Sequence, residues 1–293
     1  MELLRNCPIC GSESFDPFIS GKDYFLTGEP FEIVKCCSCG FRFTNPRPKA
    51  TELSKYYDST EYISHSNKQK GLFAAVYQQV RKYTLVRKLS LIKQFQEKGE
   101  ILDIGCATGQ FLHFMRQHGW KTTGIEPDDK TRAKAISEYS LQVFPEEKLN
   151  TFQKTSFDVI TMWHVLEHVS DLNARMAQLK SLLKPDGILF IAVPNCEAHD
   201  AKLYGKYWAG YDLPRHLYHF SKSDILMLTE NHGFKIVEIL PMKFDAFYVS
   251  LLSEKYKTGK MRLLPAFWNG LMSNVKSKPQ NGHSSLIYVV TIK

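Results

Sequence analysis

Short apolar runs alternate with amphipathic segments along most of the chain. Seven of these runs predict strands, at 101–104, 121–126, 141–144, 157–163, 188–193, 234–240 and 286–293. Between them, apolar residues that recur every three to four positions predict helices, as at 172–183 and 221–232. Such an alternation requires a parallel or mostly parallel sheet with helices on both faces. The pattern therefore predicts an α/β fold.

The first predicted strand ends in a glycine-rich turn. Residues 101–109 have the sequence ILDIGCATG, and a helix is predicted to begin with Gln110. Glycine has no Cβ and tolerates positive φ, so a turn of this kind lets the backbone approach a ligand closely. Glu126 stands about twenty positions past the turn, at the end of the second strand, where a carboxylate suits the hydroxyl groups of a ribose.

Four of the seven cysteines form two Cys-x-x-Cys pairs near the start of the chain: Cys7, Cys10, Cys36 and Cys39. Two such turns can place four thiolates at the corners of a tetrahedron, which suits Zn²⁺. Cys37 adjoins the second pair and is a competing ligand. In a reducing compartment the odd total favours metal binding over disulfides. We predict a small zinc-ribbon module at 1–48, in which a structural Zn²⁺ supplies much of the folding energy.

Composition and charge narrow the class of protein. With 293 residues, 43% hydrophobic and 23% charged, the chain is typical of a globular protein. The apolar run at 188–193 is too short to cross a bilayer, and the first residues lack the pattern of a secretory signal. We therefore predict a cytoplasmic protein without a transmembrane segment. The net charge of +8 indicates either solvated lysine faces or attraction of an anion, such as a phosphate-bearing metabolite, nucleic acid or membrane surface.

Taken in order, four motifs resemble the class I S-adenosylmethionine-dependent methyltransferases. They are LDIGCATG at 102–109, GIEP at 124–127, FDVI at 157–160 and LLKPDG at 182–187. The resemblance covers roughly residues 70–293, and the combined order is more specific than any one motif. It implies a Rossmann-like sheet of seven strands with an antiparallel last strand, and S-adenosylmethionine as the cofactor.

The same resemblance implies a set of cofactor-binding residues: Asp103, Gly105, Ala107, Gly109, Glu126, Pro127, Trp163 and His164. In this family Asp103 and the glycine turn would line the amino-acid end of the cofactor. Glu126 would hold the ribose hydroxyls, Pro127 would flank the adenine, and the last two residues would complete the wall. Ala107 departs from the family pattern, which has glycine at the middle of the turn. Its methyl group is small, and we expect binding to survive.

A looser resemblance concerns the acceptor. The cysteine pairs, the segment WHVLEHV at 163–169 and the segment DLPRH at 212–216 look like those of a bacterial subgroup that includes sugar C-methyltransferases. This implies a small-molecule acceptor, for example a nucleotide-linked sugar. A base is needed if the nucleophile is a hydroxyl or an activated carbon, and a histidine suits that role near neutral pH. The candidates are His168 and His216.

The segment at 164–168 also matches a different kind of site. His164, Glu167 and His168 fit the H-x-x-E-H pattern of a zinc peptidase, in which two histidines on one helical face share one metal. The segment follows straight from a buried strand, however, and does not sit within a long helix. A third interpretation is a pair of structural histidines at the start of a helix.

Two later segments do not resemble ordinary loops between a strand and a helix. The aromatic insertion around 197–220 is predicted to be a substrate lid, in which aromatic rings stack on a sugar, Arg215 pairs with a phosphate or carboxylate, and His216 or His219 moves a proton. The alternative is a packed cap with satisfied histidines. Residues 247–272 mix lysines with apolar residues and fit either an interfacial membrane helix or a segment that packs over the substrate site or a dimer partner. Gly259 and Pro265 break any long helix there.

Three parts are predicted: the zinc-ribbon module at 1–48, a linker with N-terminal helices at 49–98, and a methyltransferase domain at 99–293 with the lid insertion.

The leading hypothesis is an S-adenosylmethionine-dependent methyltransferase acting on a small molecule. A second hypothesis is an RNA methyltransferase whose ribbon recognises the substrate, although the ribbon is not rich in lysine or arginine. A third is a non-catalytic protein that binds the cofactor and interacts through its ribbon. An oligomer is compatible with each.

Overall fold

The computed structural model of the chain describes residues 1–57, 72–277 and 282–293, and of residues 72–77 it describes the backbone alone. The chain divides into two compact units, each assembled from segments that are far apart in sequence. The first unit comprises Met1–Asp58, His164–Met176 and Ile191–Val289. The second unit comprises Ser59–Trp163, Ala177–Phe190 and Val290–Lys293.

All seven strands that the sequence predicts are present in the described part of the chain, in the predicted order and with further strands beside them. The strands are β1 (Phe15–Lys22), β2 (Pro30–Cys36), β3 (Arg42–Thr44), β4 (Glu100–Ile104), β5 (Lys121–Ile125), β6 (Gln142–Phe144), β7 (Phe157–Trp163), β8 (Leu183–Pro194), β9 (Tyr218–His219), β10 (Phe234–Pro241) and β11 (Ser285–Ile292). The α-helices are α1 (Leu72–Lys93), α2 (Gln110–Gln117), α3 (Asp129–Tyr139), α4 (Leu172–Leu182), α5 (His199–Tyr204), α6 (Lys222–Asn231), α7 (Asp245–Thr258) and α8 (Leu263–Lys276).

Seven strands form the predicted mixed sheet, in the order β10-β11-β8-β7-β4-β5-β6. Strand β4 pairs in parallel with both β5 and β7, and β5 pairs in parallel with β6. The last strand, β11, is antiparallel. The central strands are apolar on both faces, as expected for strands covered by helices on both sides. The predicted fold class is confirmed.

A second sheet has four strands, in the order β1-β2-β3-β9, and lies in the first unit. Neighbouring strands in this sheet are antiparallel, and Phe43 of β3 pairs with Tyr218 of β9. The N-terminal cysteine-containing segment and the predicted lid insertion thus share one sheet. Strand β9 has two residues, too few for a periodic pattern, and the sequence analysis does not predict it.

Local signals account for several boundaries. The carboxylate of Asp128 caps α3 by accepting a hydrogen bond from the backbone N–H of Thr131, and Ser221 caps α6. Residues 184–187 of the LLKPDG motif lie at the beginning of β8. Lys184 Nζ donates to Asp158 Oδ1 at 2.8 Å, which ties this stretch to β7 in an extended conformation.

Candidate functional site

The turn between β4 and α2 has a left-handed backbone at three alternate positions. Gly105, Ala107 and Gly109 have φ values of 73°, 48° and 76°. Gly109 has no room for a side chain, because a Cβ there would lie 2.5 Å from Leu141 Cδ1. Ala107 is an L-residue in a conformation that favours glycine. It is exposed, so its methyl group displaces no neighbour and the turn keeps the left-handed conformation without the usual middle glycine.

A carboxylate braces this turn. Glu126 Oε2 accepts a hydrogen bond from the backbone N–H of Ala107 at 2.9 Å, and Oε1 accepts one from the N–H of Asp128 at 3.0 Å. Burial raises the pKa of Glu126, although the two backbone donors oppose the rise. Each carboxylate oxygen has a second lone pair, so Glu126 can accept two hydroxyl groups without releasing the turn. The neighbouring Pro127 is exposed.

Asp103 is buried near the end of β4. Its Oδ1 accepts a hydrogen bond from Thr161 Oγ1 of β7 at 2.6 Å. Burial raises the pKa of Asp103 to about 7, and the hydrogen bond from Thr161 and the charge of Lys88 only partly offset it. A cation bound beside this carboxylate would favour its charged form. Asp103 is therefore suited to a ligand that carries a positive group.

An aromatic surface lies in the same unit. The Nζ of Lys88 lies 4.0 Å from the ring centroid of Trp163 and 5.5 Å from that of Phe111. The two rings meet edge to face, with centroids 5.9 Å apart. The buried indole N–H of Trp163 has no hydrogen-bond partner in the described part of the chain. Trp163 thus offers a ring face that already attracts a cation, and an indole N–H that can donate a hydrogen bond to a ligand.

His164, Glu167 and His168 lie in the first unit. His164 Nε2 lies 2.9 Å from Asp245 Oδ2, and its Nδ1 lies 3.3 Å from Glu167 Oε1. Burial disfavours a charge on His164, but the two carboxylates outweigh burial and raise its pKa to about 10. Leu166–His168 is a 3₁₀ turn, so the H-x-x-E-H segment does not form the α-helix of a zinc peptidase. His164 is held as a charged residue between two acids.

His168 and His216, the predicted catalytic pair, lie side by side with ring centroids 4.6 Å apart. His168 Nδ1 lies 3.0 Å from the carbonyl oxygen of Arg215 and 2.9 Å from the hydroxyl of Tyr57. His216 Nδ1 lies 2.8 Å from the carbonyl oxygen of Gly210. A carbonyl only accepts, so each Nδ1 carries the proton and each Nε2 has a lone pair for a substrate proton.

The charge state of His168 follows from burial. Burial lowers the pKa of His168 to about 4, and the nearby His216 adds to the effect. His168 is therefore neutral at pH 7. Glu167 is fully buried, and its Oε2 has no hydrogen-bond partner among the described residues. This carboxylate can compensate a proton that either histidine takes up.

Arg215 does not have the role that the sequence analysis assigns to it. The side chain is 1% exposed and donates hydrogen bonds to Asp212, to Asp23 and to the carbonyl oxygen of Tyr56. An arginine enclosed by two carboxylates of the protein is not available for a substrate phosphate. His219 is also buried, with its Nε2 3.1 Å from Thr44 Oγ1. In this part of the insertion the prediction of a packed cap fits better than that of an open lid.

The four predicted zinc ligands come together. The thiol sulfurs of Cys7, Cys10, Cys36 and Cys39 all lie within 4.8 Å of one another. The closest pairs are 3.5 and 3.6 Å apart, near the spacing of about 3.8 Å that tetrahedral zinc–sulfur bonds require. Cys37, the competing candidate, is exposed and outside the group. The donor set fits Zn²⁺.

Two glycines shape the cysteine turns. Gly11 N–H donates to the carbonyl oxygen of Cys7, and Gly40 N–H donates to that of Cys36, each at 2.9 Å. Both glycines have positive φ, which closes each Cys-x-x-Cys-Gly turn. Burial opposes ionisation of Cys36, but the backbone N–H groups of Cys39 and Ser38 and the thiols of Cys10 and Cys39 together outweigh burial and lower its pKa to about 6.

Four residues near these predicted positions were missed by the sequence analysis: Lys88, Thr161, Asp245 and Tyr57. Thr161 had a detectable signal, because it lies in a predicted strand beside that of Asp103. The other three are far from their partners in sequence, and no local pattern marks them.

Comparisons with known proteins identify the family and the fold. A family model described as a methyltransferase domain matches residues 77–239. The chain is 32% identical over 136 residues to the ubiquinone biosynthesis O-methyltransferase of Haemophilus ducreyi. That match covers 42% of this chain and 58% of the relative, so the chain spans less than two thirds of the relative's length.

Solved structures show the same fold. The magnesium protoporphyrin IX methyltransferase of Synechocystis PCC 6803, solved with bound SAH, has a TM-score of 0.57 at 14% identity and covers 84% of this chain and 100% of that one. A SAM-dependent methyltransferase from Archaeoglobus fulgidus has a TM-score of 0.52 at 16% identity, with 76% and 100% covered. Because the family model matches more than half of the residues, the chain belongs to the methyltransferase-domain family.

Proposed function

We propose that the protein transfers a methyl group from S-adenosylmethionine to a small molecule. The observation that carries this proposal is the bond between Glu126 and the turn, because it leaves a carboxylate with open lone pairs beside a left-handed backbone. Glu126 would hold the ribose hydroxyls and Asp103 the amino group. Trp163 would supply a ring face beside the positive end of the cofactor. Gly105, Ala107 and Gly109 would admit the backbone close to it.

The chain has little bond-making to do, because the sulfonium of the cofactor makes its methyl group electrophilic. The protein must align the acceptor, exclude water and accept a proton. We assign proton acceptance to the Nε2 atoms of His168 and His216, whose Nδ1 protons are fixed by backbone carbonyls. With its pKa lowered to about 4, His168 is unprotonated throughout the neutral range and is available as a weak base. The positive charge that results would be balanced by Glu167.

The acceptor is proposed to be a small molecule with a hydroxyl or an acidic carbon as nucleophile. The similarity to ubiquinone biosynthesis O-methyltransferases supports an oxygen nucleophile. The finer proposal, a nucleotide-linked sugar, rests on the segments at 163–169 and 212–216. Arg215 cannot be counted among the residues that would bind its phosphates, since that side chain is paired internally.

The Cys7, Cys10, Cys36 and Cys39 cluster is proposed to bind one structural Zn²⁺. The structural role follows from its position next to β2, whose sheet continues through β3 to β9. His219 lies in β9, and His216 lies shortly before it. The metal would thus act on the catalytic segment through the sheet, without touching a substrate.

The proposal is tested by methyl transfer from labelled S-adenosylmethionine to a panel of nucleotide-linked sugars and phenolic acceptors. We expect label in at least one acceptor, with a loss of about 100-fold or more in kcat/KM for His216→Gln. Lys134→Gln, on the surface of α3, should retain full activity. Transfer to RNA only, or cofactor binding with no transfer to any small molecule, would overturn the proposal in favour of the other two hypotheses.

A further inference from the structure

Helix α8 packs on α7 through small residues. Ala266, Gly270 and Ser273 are buried on α8, and α7 buries small residues of its own at Ala246, Ser250 and Ser253. A Cβ at Gly270 would lie 2.9 Å from the Cα of Phe247, so the two backbones approach closely. The inner face of α8 is therefore filled by its smallest side chains.

Several large apolar side chains of α8 are exposed. The exposed fractions are 84% for Leu264, 58% for Phe267, 61% for Trp268 and 68% for Val275. Their spacing of three, four and seven positions puts them on one face of the helix. Before the helix, Met261 is 54% exposed. A helix at a protein surface normally carries charged residues here, yet Leu263–Lys276 contains no Asp or Glu and a single Lys at its end.

The part of the sequence that carries this apolar face is strongly basic. Residues 255–293 contain seven Lys and Arg and no Asp or Glu, whereas residues 1–254 contain 31 Lys and Arg against 30 Asp and Glu. Nearly all of the net charge of +8 therefore belongs to this stretch. Lys257, Lys260 and Arg262 lie just before α8, and Arg262 Nη1 is 3.8 Å from Glu254. Lys257 and Lys260 are exposed.

We propose that the exposed face of α8 binds the surface of an anionic membrane. Leu264, Phe267 and Trp268 would enter the boundary between headgroups and acyl chains, while the lysines contact anionic headgroups. The mode is interfacial, since no helix in the described ranges 1–57, 72–277 and 282–293 is long and apolar enough to span a bilayer. A symmetric dimer through this face would bring the same lysines of two copies together, a repulsion that anionic lipid avoids.

The test measures sedimentation of the purified full chain with vesicles, without cofactor or acceptor. We expect binding to vesicles of phosphatidylglycerol and phosphatidylcholine, little binding to phosphatidylcholine alone, and weakening by salt. The double variant Leu264→Glu/Trp268→Glu should bind the anionic vesicles about tenfold or more weakly. The control Leu226→Glu alters an apolar residue of α6 that is 43% exposed, and it should bind like the wild type.

A second measurement, tryptophan fluorescence, distinguishes loss of membrane binding from misfolding of a variant. The emission of Trp268 should shift to shorter wavelength on anionic vesicles, and Trp268→Phe should lose that shift while still sedimenting with them. The proposal is overturned if the wild type ignores anionic vesicles, or if the double variant binds them equally well. A concentration-dependent dimer that the double variant abolishes, in a chain that does not bind vesicles, would assign the face to a second copy instead.

Discussion

The guanidinium of Arg215 lies 3.1 Å from the carboxylate of Asp23, and both side chains are fully enclosed. The two residues are 192 positions apart in the chain. Asp23 also accepts hydrogen bonds from the backbone N–H groups of Phe25, Leu26 and Thr27, which fix its loop. The N-terminal segment therefore holds the stretch that carries His216 through a buried, multiply bonded ion pair.

Removing one partner of this pair should be costly. Arg215→Ala leaves the buried carboxylate of Asp23 and the partly exposed carboxylate of Asp212 without their counter-ion. We expect the free energy of unfolding to fall by about 3–5 kcal/mol. Urea denaturation provides the measurement. Lys121→Ala, which breaks the exposed pair with Glu100, should change it by less than about 1 kcal/mol. An equally small effect for Arg215→Ala would show that the buried pair is not structural.

The metal prediction has a matched control in Cys37, which lies between the predicted ligands Cys36 and Cys39. Purified protein should contain one zinc per chain by elemental analysis, and Cys10→Ser should contain none. Cys37→Ser should keep its zinc, because that thiol is exposed and outside the cluster. Cys10→Ser should also melt at lower temperature than Cys37→Ser. Full zinc content in Cys10→Ser would contradict the assigned ligands.

Cofactor affinity should depend on the ionisation of Asp103. Burial raises its pKa to about 7, and a bound cation favours the charged form, so binding requires loss of a proton at lower pH. We expect the Kd for S-adenosylmethionine to rise by up to about tenfold per pH unit below pH 7 and to level off above it. Asp103→Asn should bind weakly at every pH. A wild-type Kd that stays constant from pH 5.5 to about 8 would rule out this role for Asp103.

The hydrogen bond between His164 and Asp245 should make the protein less stable as pH rises. An acid whose pKa is lowered on folding gives the opposite trend. The pKa of His164 is raised to about 10, above its ordinary value of 6.5, so its contribution is complete below about pH 6.5 and is lost as pH rises towards 10. Asp245→Asn should therefore lower the melting temperature more at pH 6 than at pH 10. Glu138→Gln, which removes an exposed partner of Lys134, should show no such trend.

Local signals were enough to predict much of the fold. The apolar runs marked the strands of the seven-stranded sheet. Asp128 and Ser221 cap the helices that follow them, and a cap is a short-range interaction. Each Cys-x-x-Cys turn also forms as expected, since it needs only its own glycine. These features depend on residues within a few positions of one another.

Long-range partners could not be inferred in the same way. An arginine in an aromatic loop gives no sign that Asp23 will enclose it, and a two-residue strand such as β9 has no periodicity to detect. His164 looked like a wall of the cofactor site because it follows Trp163, but its charge partner Asp245 is 81 positions away. In each case tertiary contacts decide which side chains remain open to a ligand.

The most direct test is a calorimetric titration of S-adenosylmethionine and its demethylated product into wild type and three variants at pH 8. We expect one binding site per chain in the wild type, and affinity about tenfold or more weaker in Asp103→Ala and in Glu126→Ala. Glu138→Ala, on the surface of α3, should bind like the wild type. Absence of binding to the wild type at millimolar ligand, or unchanged affinity in Asp103→Ala and Glu126→Ala, would contradict the assignment of the β4 turn as the cofactor site.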